Sequence, residues 1–370
     1  MAQGLTANQQ AQGRSNIGAL KKNYILNGAM MVSQENGSTA GTAGAYYAVD
    51  QFTSFITGTT GAYSVQQVAS LTPSGSPNRV RLTVTTADAA VAPGDIVYFE
   101  TRLEGLRVAD LAFGTTTPKM VTLQFGVRAP AGTYSIVLFN NLQNRSYVAE
   151  YTISAADVIT GDVVKSVVIP GDNTGTWAKD TNGGIHIRFG LMAGITYQQA
   201  AGSWGTGNVI GSPNQFNFMG TVNNVFELFD VGLYEGNVAP PFQVPDYAAE
   251  LTLCQRYYQQ ISASSLPVVG FADSVVAPLI YTAVLRGSPT ITFPYTDASF
   301  TTSGSPGAAQ WNLQCPNVAV ATKTGTFTIT VLSVLPTAGS LQMFGMTLSR
   351  STSIIGAGVS MAPIKLNARL

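Results

Sequence analysis

The chain has 370 residues, 45% of them hydrophobic and only 10% charged, where ordinary soluble domains carry about 25% charged residues. Nineteen acids balance nineteen bases, so the sequence lacks the cationic excess with which a nucleic-acid protein neutralises many phosphates. No apolar run approaches the roughly 20 residues that cross a bilayer, and the two cysteines, Cys254 and Cys315, are too few for a disulfide framework.

A surface so poor in charge must be built from Ser, Thr, Asn, Gln and Gly, which suits β-strands joined by polar turns. Near-zero net charge also favours association, so part of the exterior is expected to lie against partner subunits. The charge is unevenly spread. Residues 23–250 carry seventeen acids and ten bases, and residues 251–370 carry two acids and six bases. Both cysteines read most simply as small buried apolar residues, a Cys254–Cys315 bridge being the alternative. The N-terminus lacks the apolar core of a secretory signal, which predicts synthesis and assembly in the cytoplasm.

Residues 1–22 read as a tether. Thr6-x-x-Gln9 is a capping-box pattern, but Gly13 and Gly18 interrupt any helix and no apolar stripe is wide enough to fold alone. Residues 23–245 alternate with period 2. Val80, Leu82 and Val84 share one face, as do Val121, Leu123, Phe125 and Val127, and Tyr147, Ala149, Tyr151 and Ile153. In Ile185–Phe189 the spacing predicts Ile185, Ile187 and Phe189 inward, with His186 and Arg188 at the surface. Turn signals such as "SGSPN", "APGD", "PGDNTG" and "TNGG" separate the strands. The expectation is an all-β jelly-roll sandwich.

Pro240, Pro241 and Pro245 then stiffen a connector. Tyr247, Leu251, Cys254, Tyr258 and Ile261 recur at four and three residues, which predicts a linking helix over 246–262 with an a/d seam. Leu253 and Tyr257 form a second, narrower stripe. The seam can join copies of the chain or pack one core helix on its own sheet. After Pro267, alternation in "TITF", "GTFTITVLSV" and "LQMFGMTLS" predicts a second, smaller β-domain over 263–370.

Several segments together resemble bacteriophage tail fibres and related virion appendage proteins. They are "LTANQQAQGRSNIGAL" (5–20), "NYILNGAMMVSQENG" (23–37) with "YYAVDQF" (46–52), and "FELFDVGLYEGNVAPPFQVPDYAAELTLCQRYYQQ" (226–260). They cover 73 of the 370 residues in the expected order, and Cys254–Tyr258 is the most specific piece. The resemblance implies a homotrimer attached to other virion proteins, of tail or capsid, through residues 1–22, with a first domain similar to carbohydrate-binding-module jelly rolls. The family's "VDRW" stands here as Val49-Asp50-Gln51-Phe52, and the Glu of its "LEVG" is shifted in Leu233-Tyr234-Glu235-Gly236. Residues 263–370 would form a host-facing tip touching surface polysaccharide. Tail fibre, capsid head fibre and capsule depolymerase are the readings to separate.

For catalysis the sequence offers little. Its single histidine cannot build a nucleophile–His dyad at a predicted surface position or a multi-histidine metal site, and no phosphate-binding glycine loop or Cys-x-x-Cys occurs. Glu100 and Glu104 would share a strand face about 13 Å apart, beyond the roughly 5–9.5 Å of paired glycosidase carboxylates. No enzyme activity, cofactor or metal is expected, although the oxygens of "PGDNTG" can be read either as a Ca²⁺ site or as a plain turn. Trp177, Trp204 and Trp311 lie among Gly, Thr and Asn in apparent loops. Each is a candidate stacking platform for a sugar, or a ring that closes the end of a sandwich.

Overall fold

The computed structural model describes residues 22–42 and 44–261, the later strands named below, residues 283, 285 and 286, and residues 368–370. The tether up to residue 21, and Cys315, lie outside the described residues. The chain divides into two compact units, residues 1–254 with Leu370, and residues 255–369.

The first unit holds twelve strands: β1 (Tyr46–Val49), β2 (Phe52–Thr57), β3 (Ala62–Ala69), β4 (Asn78–Thr86), β5 (Ile96–Glu104), β6 (Val121–Arg128), β7 (Gly132–Phe139), β8 (Ser146–Ile153), β9 (Val163–Ile169), β10 (Gly183–Ala193), β11 (Trp204–Gly205) and β12 (Val225–Glu235). They form two antiparallel sheets, seven strands in the order β1-β2-β5-β10-β7-β8-β11 and five in the order β3-β4-β12-β6-β9. The expected all-β sandwich is therefore present. Its core follows the period-2 pattern: Val80, Leu82 and Val84 of β4, the odd-numbered residues of β6 from Val121 to Val127, and Ile185, Ile187 and Phe189 of β10 are all buried between the sheets. Short helices interrupt the strands at α1 (Gly105–Val108) and α2 (Ala155–Thr160). Ser154 and Asp157 close a capping box on α2.

Two sequence expectations need correcting here. The first is that His186 and Arg188 lie at the surface. The outer face of the seven-stranded sheet is covered, because segment 195–217 turns back across it. Ile210 packs with Ile96, Tyr98 and Ala193, while Val209 packs with Val137, Phe139 and Val148. His186 and Arg188 do point away from the sandwich core, but each is 3% exposed. Period-2 spacing tells which side of a sheet a residue takes, not whether a later segment covers that side.

The second is the helix. α3 spans Tyr247–Gln255 only, and Tyr258–Ile261 forms strand β13, paired antiparallel with Ile364–Asn367. Adjacent aromatic residues favour a pleated surface, and the pairing satisfies the backbone groups that a longer helix would have bonded internally. The five seam residues therefore do not share one helical face. Tyr247 is exposed, Leu251 is half-buried and Cys254 is buried on α3. Tyr258 lies in β13 with its ring 4.0 Å from the Arg369 guanidinium, and Ile261 is the last residue of that strand, opposite Ile364.

The second unit contains β13, β14 (Val269–Gly270), β15 (Ser274–Ile280), β16 (Thr290–Thr292), β17 (Thr302–Ser303), β18 (Ala308–Gln314), β19 (Thr324–Thr330), β20 (Met343–Ser349) and β21 (Ile364–Asn367). Three pair as β13-β21-β16 and six as β14-β15-β20-β19-β18-β17. Trp311, expected in a loop, lies inside β18 opposite Phe327 and Thr302. The Gly- and Ser-rich residues before it had masked the alternation of "AAQWNLQ".

Candidate functional site: three side-chain clusters of the sandwich

Segments 23–37, 46–52 and 226–260 meet in one buried polar clasp. Asn27 takes a left-handed backbone conformation (φ 55°), which asparagine tolerates better than most residues. Its side-chain amide donates to the Val32 and Asp50 carbonyls, both at 2.8 Å, and accepts from the Val32 N–H at 2.9 Å. The Asn27 N–H donates to the Glu250 carboxylate, and Asp50 accepts from the Gln34 backbone and side chain. Burial pushes the Glu250 carboxyl up, against the opposing Asn27 donor and Arg107. Residues far apart in sequence thus bind one another here, as framework.

The two tryptophans of the first unit meet at the rim of the sandwich. Trp177 packs edge-on to Phe113 at 5.0 Å between ring centroids and to Trp204 at 5.6 Å, and Tyr147 lies 5.3 Å from Trp204. Trp177 is only 7% exposed. Its Nε1 donates to Asp172 at 3.2 Å and to the Thr174 carbonyl at 3.1 Å. Trp204 is half-buried and donates to the Pro170 carbonyl at 3.0 Å. Asp172, buried in the "PGDNTG" turn, receives a two-pronged contact from Arg145 at 2.8 and 2.7 Å and the Thr174 N–H at 3.2 Å. Burial alone would raise its carboxyl, but Arg145 and Thr174 outweigh it and hold the group below the usual range. The turn's carboxylate oxygens are thus committed to protein donors. Among the described residues no cluster of three His, Cys, Asp or Glu side chains suits a metal ion.

The second cluster lies under the covered face of the seven-stranded sheet. Glu100 accepts from Arg188 Nε at 2.8 Å and from Arg102 Nε, with His186 Nδ1 at 3.6 Å. The Arg188 guanidinium lies 4.6 Å from the Tyr98 ring and 4.0 Å from the Phe139 ring, and the Tyr98 ring stacks on Phe55 at 5.2 Å. Burial opposes the Glu100 charge, but His186, Arg188 and Arg102 prevail and bring its carboxyl down to about 2. Burial likewise lowers His186, so the imidazole is neutral near pH 7. A carboxylate this firmly ionised cannot act as a general acid near neutrality.

The third cluster occupies the open outer face of the five-stranded sheet, and sequence inspection missed it. Register aligns Gln66, Arg81, Glu227 and Arg128 in one row across β3, β4, β12 and β6. Glu227, 2% exposed, accepts from Arg81 Nε at 2.6 Å and Arg79 Nη1 at 2.9 Å, with Arg128 Nε at 3.9 Å. Asp162 accepts from Arg79 Nη1 and Arg128 Nε, both at 2.9 Å. Burial works against the Asp162 charge, yet Arg79 and Arg128 keep its carboxyl below the ordinary value. Arg79 is buried over the Phe229 ring at 4.5 Å. The signal was present as Arg79, Arg81, Arg128 and Glu227 at outward strand positions, but only pairing across β4, β12 and β6 brings them together.

No protein-family model matches the chain, and no curated protein matches it. Solved structures that it resembles include the enzymatically active domain of bacteriophage CBA120 tailspike protein 4, at 10% identity over 58% of this chain and 21% of that one, TM-score 0.30. Another is the TmCBM61 module in complex with beta-1,4-galactotriose, at 11% identity over 58% of this chain and 99% of that one, TM-score 0.28. A third is the CBM22-1–GH10 modules of a Clostridium thermocellum xylanase complexed with xylohexaose, at 9% identity over 58% and 30% of the two chains, TM-score 0.26. The chain spans about a fifth of the tailspike domain, and likenesses this loose assign it no ligand.

Proposed function

We propose that the protein is a non-catalytic virion appendage, a trimeric tail fibre or receptor-binding protein that holds a phage particle to host surface glycan. The observation that carries this reading is the clasp of Asn27, Asp50 and Glu250, because it ties the resembling segments 23–37, 46–52 and 226–260 into one structural element. The first unit supplies a rigid shoulder and residues 1–22 the attachment to other virion proteins. Trimer formation is supported by the 10% charged share and by apolar side chains left exposed around α3, namely Val244, Tyr247 and Leu253. Weak glycan sites held three to a frame gain strongly from effective concentration. A non-catalytic role is supported by the carboxylates of Glu100 and Asp172, each buried and bound to arginine.

Light scattering on the full chain tests the assembly. A mass of three times 38.8 kDa is expected, and a mass of 38.8 kDa would remove the trimer. Immunolabelling of intact particles then separates a tail position, which is expected, from a position on the capsid lattice.

A further inference from the structure

The arginine row on the open face of the five-stranded sheet is built in a way that structural ion pairs alone do not require. Arg81 and Arg128 flank Glu227 in register on β4 and β6, two strand spacings or about 10 Å apart at their backbones. Each spends its Nε on a carboxylate, Arg81 on Glu227 at 2.6 Å and Arg128 on Asp162 at 2.9 Å. Among the described residues, the terminal Nη1 and Nη2 of both make no hydrogen bond, and the two side chains are 38% and 52% exposed.

Glu227, buried, and Asp162, half-buried, fix the guanidinium planes, and the buried Arg79 supplies a third positive charge. Three guanidiniums against two carboxylates leave one positive charge uncompensated, so a single added carboxylate would neutralise the cluster. Guanidinium also presents paired N–H groups that match a planar carboxylate. Around the row, Ser64, Gln66 and Thr83 are half-exposed on the same outer face, and their hydroxyl and amide groups suit sugar hydroxyls. Arg128 has no slack on its far side. Gly161 has a left-handed backbone (φ 89°), and a Cβ there would come within 2.8 Å of Arg128 Nη2.

We infer that this row, Arg81 and Arg128 over Glu227, is a binding site for a carboxylate-bearing saccharide, a uronic-acid unit of a surface polysaccharide. The inference rests on the glycan-attachment reading and names the chemical class of the glycan. It places recognition on a strand-built platform rather than on the tryptophan rim, where both indole N–H groups are already used.

The test is retention of the full chain on three polymers built on galacto-configured sugars: polygalacturonate, neutral galactan and sulfated galactan. Polygalacturonate is expected to bind best. The double variant Arg81→Gln/Arg128→Gln should weaken it roughly tenfold or more, as expected for losing charge-assisted bonds. Gly161→Ala, which removes no charge, should weaken it by moving Arg128, and it decides the matter if the double variant fails to fold. Equal binding by both variants and the parent overturns the site. Preference for sulfated galactan overturns the carboxylate class. Retention on neutral galactan alone leaves the glycan reading standing and removes this site. Retention on none of the three polymers rejects both.

Discussion

The two sheets of the sandwich place the same device on opposite outer faces, and the contrast shows how covering decides its role. On the seven-stranded sheet, Glu100 is gripped by Arg188 and Arg102 beneath segment 195–217, and aromatic rings enclose Arg188 on both sides. On the five-stranded sheet, Glu227 is gripped by Arg79 and Arg81 with Arg128 close by, and the Arg81 and Arg128 side chains, 38% and 52% exposed, reach solvent. A sealed cluster contributes to stability and has no surface with which to meet a ligand. In the open one the exposed Arg81 and Arg128 add little stability but keep oriented donors available.

The largest effect should come from breaking the sealed side. Arg188→Leu leaves the Glu100 carboxylate buried with its main partner gone and is expected to cost about 3–5 kcal/mol in urea unfolding. A loss below about 1 kcal/mol would show that the covered face admits water.

The next effect is in pH dependence. His186 has its native pKa below 6.5, so as pH falls below 6.5 the unfolded chain takes up a proton that the native site resists, and stability drops. Glu100 adds a second loss as pH falls from 4.5 toward its native value of about 2. Replacing His186 by Gln should flatten the stability curve between pH 6.5 and 4.5, by up to about 1.4 kcal/mol per pH unit, and leave the steeper acid limb in place. An unchanged slope over that window would mean the imidazole takes up its proton as readily folded as unfolded.

Smallest of all should be the stability change at the open row. Arg81→Gln leaves Glu227 bonded to Arg79, and a change below about 1 kcal/mol is expected. A loss as large as that of Arg188→Leu would mean that the open row is structural like its sealed counterpart, and the contrast between the faces would disappear.

The sequence disclosed these features unevenly. Alternation in residues 80–84, 121–127 and 185–189 was enough for the sandwich, because a half-buried strand writes its inward face into every second residue. The helix was overdrawn, since Tyr258 and Ile261 continue the spacing of Tyr247, Leu251 and Cys254 while β21 claims them as a strand. Nothing near Arg188 announces that residues 195–217 will reach it with the Asn208 side chain and the Val209 carbonyl. The arginine row was illegible for a related reason: Arg81, Arg128 and Glu227 come from three strands, and only long-range register makes them neighbours. Trp177 and Trp204 drew attention because their surroundings are polar in sequence, yet those polar groups bind the indole nitrogens and leave the rings packed on one another.

The account turns on attachment to glycan without cutting it. The most direct measurement incubates the full chain with polygalacturonate and follows retention and new reducing ends in the same sample. Retention with a flat reducing-end signal is the predicted result. A steady rise in reducing ends would mark the protein as a depolymerase and contradict the account.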